Sequence, residues 1–308
     1  MPVTPGNSAY TDKSIPESYV DNLELLELKD NKLYKLAGTV KAKGPEHFWV
    51  RDKVRASKTP AAAASPEGVQ FAGRRSSDPS RLYNTTQLFS EDVQVTGTDQ
   101  RSEHIGFDDR FAFEAEKSEK AVAKDIERAI LYGTRDQGTY TDGTSTESVN
   151  RQMGGLKFLI NRDASTNYVA NAAVALDDDY FTARLQTAWT NGDVEGALDV
   201  FVPAKQKAAI DLFTTPNQRN IEAKSKMIVL PVDTIATSFG TANLHLHREL
   251  VAADMVGVDV SQLYKASLLA PKTEKYAKRG DSMDGQVLAE LSLEFRRPEN
   301  GFWVSGLL

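Results

Sequence analysis

The chain of 308 residues contains no cysteine, and that absence removes disulfides, thiolate zinc sites and thiol nucleophiles together. It fits a reducing cytoplasm or a chain indifferent to redox, and does not distinguish the two. No apolar run approaches the ~20 residues that a membrane-spanning helix needs. The opening Met1-Pro2-Val3-Thr4-Pro5-Gly6-Asn7 has no basic stretch leading into an apolar one, so no secretory signal is expected. Positive charge is scarce as well: 37 Lys and Arg stand against 43 Asp and Glu, a net charge of -6. Phosphate backbones are bound by clustered Lys and Arg, so this balance argues against general affinity for nucleic acid. What remains is a soluble chain with 40% hydrophobic residues, enough to bury roughly three quarters of its unfolded surface if fully compact. A mean hydropathy of -0.42 indicates that part of it is not compact.

The most regular pattern present runs from Phe107 to Gly133. Phe111, Ala115, Val122, Ile126, Ala129 and Ile130 step by threes and fours, which predicts one buried stripe on a helix. Asp108 and Asp109 sit where the positive end of the helix dipole favours carboxylates, and Gly133 offers a left-handed exit. Glu114/Lys117, Glu116/Lys120 and Asp125/Arg128 are spaced to pair across one turn. At ~1.5 Å per residue the helix is ~35 to 40 Å long. A charged rod with one apolar stripe reads as scaffolding.

Charge is distributed unevenly. Between Lys41 and Arg81 nine basic residues face four acidic ones, a net +5 that leaves -11 on the rest of the chain. From charge alone this is a solvated loop. Its flanks, however, read as strands: Phe48, Val50 and Val54 alternate in Glu46–Val54, and β-pattern returns at Leu82–Phe89 and Val93–Gly97. Between them lie Pro60-Ala61-Ala62-Ala63-Ala64-Ser65-Pro66 and Arg74-Arg75-Ser76-Ser77-Asp78-Pro79, a low-complexity tip. Each limb of such an arm reaches up to ~70 Å at ~3.3 Å per residue, against a radius of gyration of ~18 Å for a compact body of the remaining residues. An arm longer than its body needs something to lie on, and a neighbouring copy is the natural candidate.

Elsewhere helical and extended segments alternate. Ser14-Ile15-Pro16-Glu17 opens a helix pattern in which Leu23 and Leu26 fall, with Leu36 as a further apolar anchor beyond Asp30-Asn31. Helices are expected near Asp178–Thr190 and Pro203–Thr214, and an apolar element at Leu198–Phe201. Met227–Val232 and Ala242–His247 read as paired strands around a turn at Phe239-Gly240, and Gln286–Phe295 as the clearest strand of all. The fold class is α+β, without βαβ alternation or an internal repeat.

No motif carries convincing catalysis. His245 and His247 share a strand face and could place two imidazoles on one metal, with Glu249 or Asp254 as third ligand. Asp177-Asp178-Asp179 resembles a magnesium cluster but precedes a helix start, where carboxylates cap backbone N–H groups. Gly154-Gly155 lacks the Lys-Ser/Thr of a phosphate loop and reads as a tight turn. Arg279-Gly280-Asp281 spells an integrin-recognition tripeptide, a three-letter match of high chance frequency that falls in a turn and is discounted. Glu290 and Glu294 share the strand face of Ser292, read as solvated or intersubunit. No catalytic residue, cofactor or metal is assigned.

The order of these features adds what no single one has. Trp49-Val50-Arg51-Asp52 enters the arm, Asn84-Thr85-Thr86-Gln87-Leu88-Phe89 returns from it, Val93-Gln94-Val95-Thr96-Gly97-Thr98 follows, and the long helix ends in Asp125-Ile126-Glu127-Arg128-Ala129-Ile130-Leu131-Tyr132-Gly133. With Arg151–Leu156, Phe201–Phe213, Thr237–Gly240 and Ala277–Asp281 leading into Glu290–Glu294, this resembles the major capsid proteins of tailed bacteriophages, the Johnson fold, over nearly the whole chain.

The resemblance implies an N-terminal arm (1–38), an extended E-loop (39–97), a P domain (98–151 and 271–308) built on the spine helix, and an A domain (152–270). It implies self-assembly into hexamers and pentamers of an icosahedral head that encloses double-stranded DNA without reading its sequence. Portal, scaffolding and decoration proteins would be partners, and the location the virion, assembled in the host bacterial cytoplasm. The first helix begins too near Met1 for a removable scaffolding segment, so scaffolding is expected to be separate or dispensable. Some relatives cross-link an E-loop lysine to a neighbour; Lys43, Lys53 and Lys58 are available, and no local pattern nominates one. The expected intersubunit residues are Trp49, Arg51, Lys53, Arg55, Arg74 and Arg75; the spine core is Phe111, Ala115, Val122, Ile126 and Ile130. The rivals are an encapsulin-like nanocompartment shell and, from another class, a soluble metal-dependent hydrolase using His245 and His247 with the Asp177 cluster.

Overall fold

The computed structural model describes residues 32–52, 57–65, 67–68, 79–104, 108–138, 150–192, 194, 196–213, 233–277 and 280–308. The first of these form α1 (Lys32–Leu36), β1 (Gly38–Lys41), β2 (Glu46–Arg51), α2 (Pro60–Ala63), β3 (Ser80–Thr85), β4 (Gln87–Thr96) and α3 (Gly97–Arg101). The long helix α4 (Arg110–Tyr132) follows, then α5 (Leu156–Asp163), β5 (Tyr168–Val169), α6 (Asp178–Asn191), β6 (Ala197–Val202) and α7 (Ala204–Asp211). The chain closes with β7 (Thr234–Thr237), β8 (Gly240–Leu246), β9 (Met255–Val258), β10 (Leu263–Lys275), β11 (Ser282–Phe295) and β12 (Phe302–Val304). This is the α+β mixture that the sequence predicts. The expected helix start at 14–17 and the expected strand at 227–232 lie outside the described residues.

Helix α4 forms where the apolar spacing places it, and Phe111, Ala115, Val122, Ile126 and Ile130 are all buried on it. Asp109 caps it, its carboxylate accepting the Ala112 N–H at 3.1 Å, and the pairs Glu114/Lys117 and Glu116/Lys120 form. Three expectations fail towards its C-terminus. Arg128 pairs with Glu249 at 3.5 Å rather than with Asp125. Gly133 leaves the helix at φ -51°, not in the left-handed region. Glycine is needed there for close packing, since a Cβ would lie 2.4 Å from the Met153 carbonyl oxygen and 2.6 Å from that of Ala129. Finally, Glu127 is fully buried on a helix whose charged residues the pattern places outside.

Two sheets carry the core. β1, β10, β11 and β4 lie side by side in that order, β1 parallel to β10 and the others antiparallel. The apolar stripe of α4 packs on β4 and β11. The second sheet has the order β5, β12, β9, β6, β8, β7. Its central strands bury both faces. Leu198, Val200 and Val202 of β6 and Phe302 and Val304 of β12 join α6 in one cluster, whereas Phe201, Val256, Val258 and Trp303 turn towards α4 and α5. A strand covered on both sides has no polar face to alternate with, which is why Val200-Phe201-Val202 is continuously apolar.

β2 and β3 form a separate antiparallel hairpin, with His47 opposite Asn84 and Phe48 opposite Tyr83. β3 ends at Thr85, and β4 then runs unbroken across residues 90–92, where the sequence pattern places the gap between the two strands. The break comes at Thr86, whose N–H donates to the Pro45 carbonyl at 2.8 Å and closes the base of the hairpin.

Candidate assembly interface

Strand alternation sends His47, Trp49 and Arg51 to one face of the hairpin and Phe48 and Val50 to the other. The first face lies on the body of its own chain. His47 Nε2 is 2.6 Å from Glu294 Oε2, and Arg296 Nε donates to the other oxygen of that carboxylate at 2.6 Å. Burial pushes the Glu294 carboxyl upward, but the hydrogen bonds and charge supplied by His47 and Arg296 outweigh it and hold the group below the usual carboxylate range. Arg51 Nη1 donates to both oxygens of Glu299, each at 2.7 Å. Trp49 is 8% exposed, its ring 5.9 Å from that of His47. Within one protomer Trp49 and Arg51 therefore face the body, while Phe48 and Val50, their neighbours on the strand, face outward. Lys53, Arg55, Arg74 and Arg75 lie outside the described residues.

Asn84 fastens the root of the hairpin. Its Nδ2 donates to the carbonyls of Gly154 at 2.9 Å and Leu293 at 2.7 Å, and its Oδ1 accepts the N–H groups of Gly154 at 2.8 Å and Thr85 at 2.9 Å. Thr86 Oγ1 and Arg151 Nη2 both donate to Glu290, each at 2.7 Å. Glu290, Ser292 and Glu294 thus line the seam against the hairpin, and Ser292 and Glu294 are buried. The solvated or intersubunit reading of that face is overturned, because the returning hairpin covers it.

The outer face is different. Phe48 is 39% exposed, Val50 66% and Tyr83 37%, a strip of apolar side chains that one chain leaves uncovered. Arg81 stacks over the Phe48 ring at 3.7 Å, and Arg135 and Arg162 over Tyr83 at 4.4 and 4.9 Å. The strip is therefore framed by guanidinium groups, which retain the apolar surface while adding positive charge.

The residues considered for chemistry do not converge. His245 Nε2 meets Asp199 at 2.9 Å, and His247 Nε2 meets Glu127 at 2.7 Å in a fully buried pair. No group of three His, Cys, Asp or Glu placed to hold a metal occurs among the described residues. Asp177 accepts the Tyr180 N–H at 2.7 Å as a helix cap. Gly155 is a point of close approach and not a tight turn, since a Cβ would lie 2.5 and 2.7 Å from the carbonyl oxygens of Ala129 and Ile130. Arg279 lies outside the described residues. Sequence reasoning missed Asn84 and Glu127, and the one available signal was Leu131, buried four residues after Glu127, which widens the helix stripe around it.

A family model described as SU10 major capsid protein matches residues 3–308. Among curated proteins none matches the sequence. Among solved structures the chain is similar to the Cyanophage A-1(L) capsid asymmetric unit, at 11% identity and a TM-score of 0.68, covering 98% of this chain and 99% of that one. It is similar to the capsid of an empty GTA particle, at 9% identity and a TM-score of 0.65, covering 98% of each. A chain of Mycobacterium phage Bobi matches at 13% identity and a TM-score of 0.59, covering 97% of this chain and 98% of that one. These likenesses establish a shared fold.

Proposed function

Because the chain belongs to the SU10 major capsid protein family, we propose that it forms the icosahedral head of a tailed phage by assembling into hexamers and pentamers around double-stranded DNA. The observation that carries this reading is the family match over residues 3–308; the same match favours a phage head over a nanocompartment or a metal-dependent hydrolase. The domain map is a Johnson-type one, with the hairpin of β2 and β3 as the base of the E-loop, α4 as the spine of the P domain, and β5 to β9 in the A domain, where β12 from the closing P-domain stretch completes their sheet. Portal, scaffolding and decoration proteins are the partners proposed for such a head, with scaffolding separate or dispensable. Net negative charge suits a wall that must not hold packaged DNA tightly.

Within that function the outer strip of the hairpin is the surface for a neighbour. Apolar side chains give it area to bury, and the net +5 of residues 41–81 complements the -11 of the remaining chain. Two measurements test the reading. Purified protein should form closed particles of megadalton mass in light scattering and electron microscopy; a chain that stays monomeric under all ionic conditions removes the proposal. Val50→Asp, at a site 66% exposed, should leave the protomer folded and suppress particles, since a carboxylate would have to be desolvated at the interface.

A further inference from the structure

Glu127 lies fully buried, where an aliphatic residue such as its neighbours Ile126 and Ile130 would fill the space without taking a polar group out of water. Its carboxylate is spent on three donors from two distant parts of the chain. Oε1 accepts the Leu33 N–H at 2.8 Å and His247 Nε2–H at 2.7 Å, and Oε2 accepts the Tyr34 N–H at 2.8 Å. The imidazole is itself fixed, since its Nδ1 accepts the Glu249 N–H at 3.2 Å; the proton on Nε2 is therefore the one given to Glu127. Lys265 of β10 reaches the Tyr34 carbonyl and lies 3.9 Å over the Tyr34 ring, and Lys32 Nζ donates to the Leu246 carbonyl at 2.7 Å.

α1 has five residues, too few to be helical without support. Its place is set by Leu33, which is buried, and by the acceptor that Glu127 offers to its first N–H groups. Thirty-one residues precede α1. We propose that Glu127 is a positioning residue that clamps the root of the N-terminal segment to the spine helix and, through His247, to the second sheet. The consequence of this clamp for shell formation rests on the capsid reading; the clamp itself does not.

Hydrogen exchange on the full-length chain separates the two. In the wild type the amides of Leu33, Tyr34 and Glu249 should open together and show a common protection factor, because one cluster holds them. In Glu127→Gln an amide N–H₂ confronts at least one N–H donor, so those amides should lose protection about tenfold or more while β11 keeps its own. Unrelated protection in the wild type, an unchanged Gln variant, or equal loss in every element would each overturn the clamp; the wild-type measurement decides the matter even if the variant fails to fold. Particle counts by electron microscopy then address the shell. Fewer particles from a variant with an intact core support the positioning role, and wild-type yield despite freed α1 amides overturns it.

Discussion

Asn84→Ala would remove from the hairpin root a side chain that uses its full hydrogen-bonding capacity, two donated and two accepted bonds at 2.7 to 2.9 Å. Asn84 is fully buried, so water cannot replace it. At about 0.5–1.5 kcal/mol net for each neutral hydrogen bond the four give about 2–6 kcal/mol. Bonds that share one side chain are not additive, but alanine also strands the Gly154 and Thr85 N–H groups, at about 1–3 kcal/mol for each buried unsatisfied group. The expected loss is about 3–5 kcal/mol, a large part of the ~5–15 kcal/mol that ordinarily stabilises a fold. Urea unfolding of the unassembled protein, followed by circular dichroism and by tryptophan fluorescence, measures it. Asn84→Asp should cost at least as much, because its second oxygen would face the Gly154 and Leu293 carbonyls. A value for Asn84→Ala within about 0.5 kcal/mol of wild type would falsify the claim that this side chain fastens the hairpin.

Three further outcomes follow from the same geometry. Arg51→Met should lower stability by about 1–2 kcal/mol and speed amide exchange in β2 and β3 more than in β11, because Glu299 loses the donor that binds both its oxygens. Gly155→Ala should cost about 1–3 kcal/mol by overpacking, measured as a lower urea midpoint, since the nearest atoms to the added Cβ are backbone and cannot swing aside. Glu294 has a depressed folded pKa, so its contribution is present above the unfolded value of about 4.3 and is lost as pH falls through the lower folded value. Glu294→Gln should accordingly flatten the acid limb of a melting-temperature profile, and an unchanged limb would mean that another carboxyl governs it.

Much of the architecture was legible because periodicity reports burial. The stripe on α4, the cap at Asp177 and the apolar run of β6 are local consequences of which side chains must leave water. The hairpin was legible too, as strand-like flanks around a low-complexity insert, and the order of segments carried the resemblance to capsid proteins. Which of the hairpin's two faces is free was not. Alternation separates Trp49 and Arg51 from Phe48 and Val50, yet says nothing of which set meets the body, and the larger and more highly charged set proved to be the internal one.

Sequence by itself determined the long helix, the helices α6 and α7, the strands flanking the arm, β6, β8 and β11, and their order, because those depend on residues a few positions apart. Only the tertiary structure decided what the polar residues do, because their partners are remote: Asn84 meets Leu293, Arg51 meets Glu299, and Glu127 meets both Tyr34 and His247. An apolar side chain is content with any dry neighbour, so its pattern can be read locally. A buried polar atom requires one particular partner at about 3 Å, and nothing in the local sequence names it.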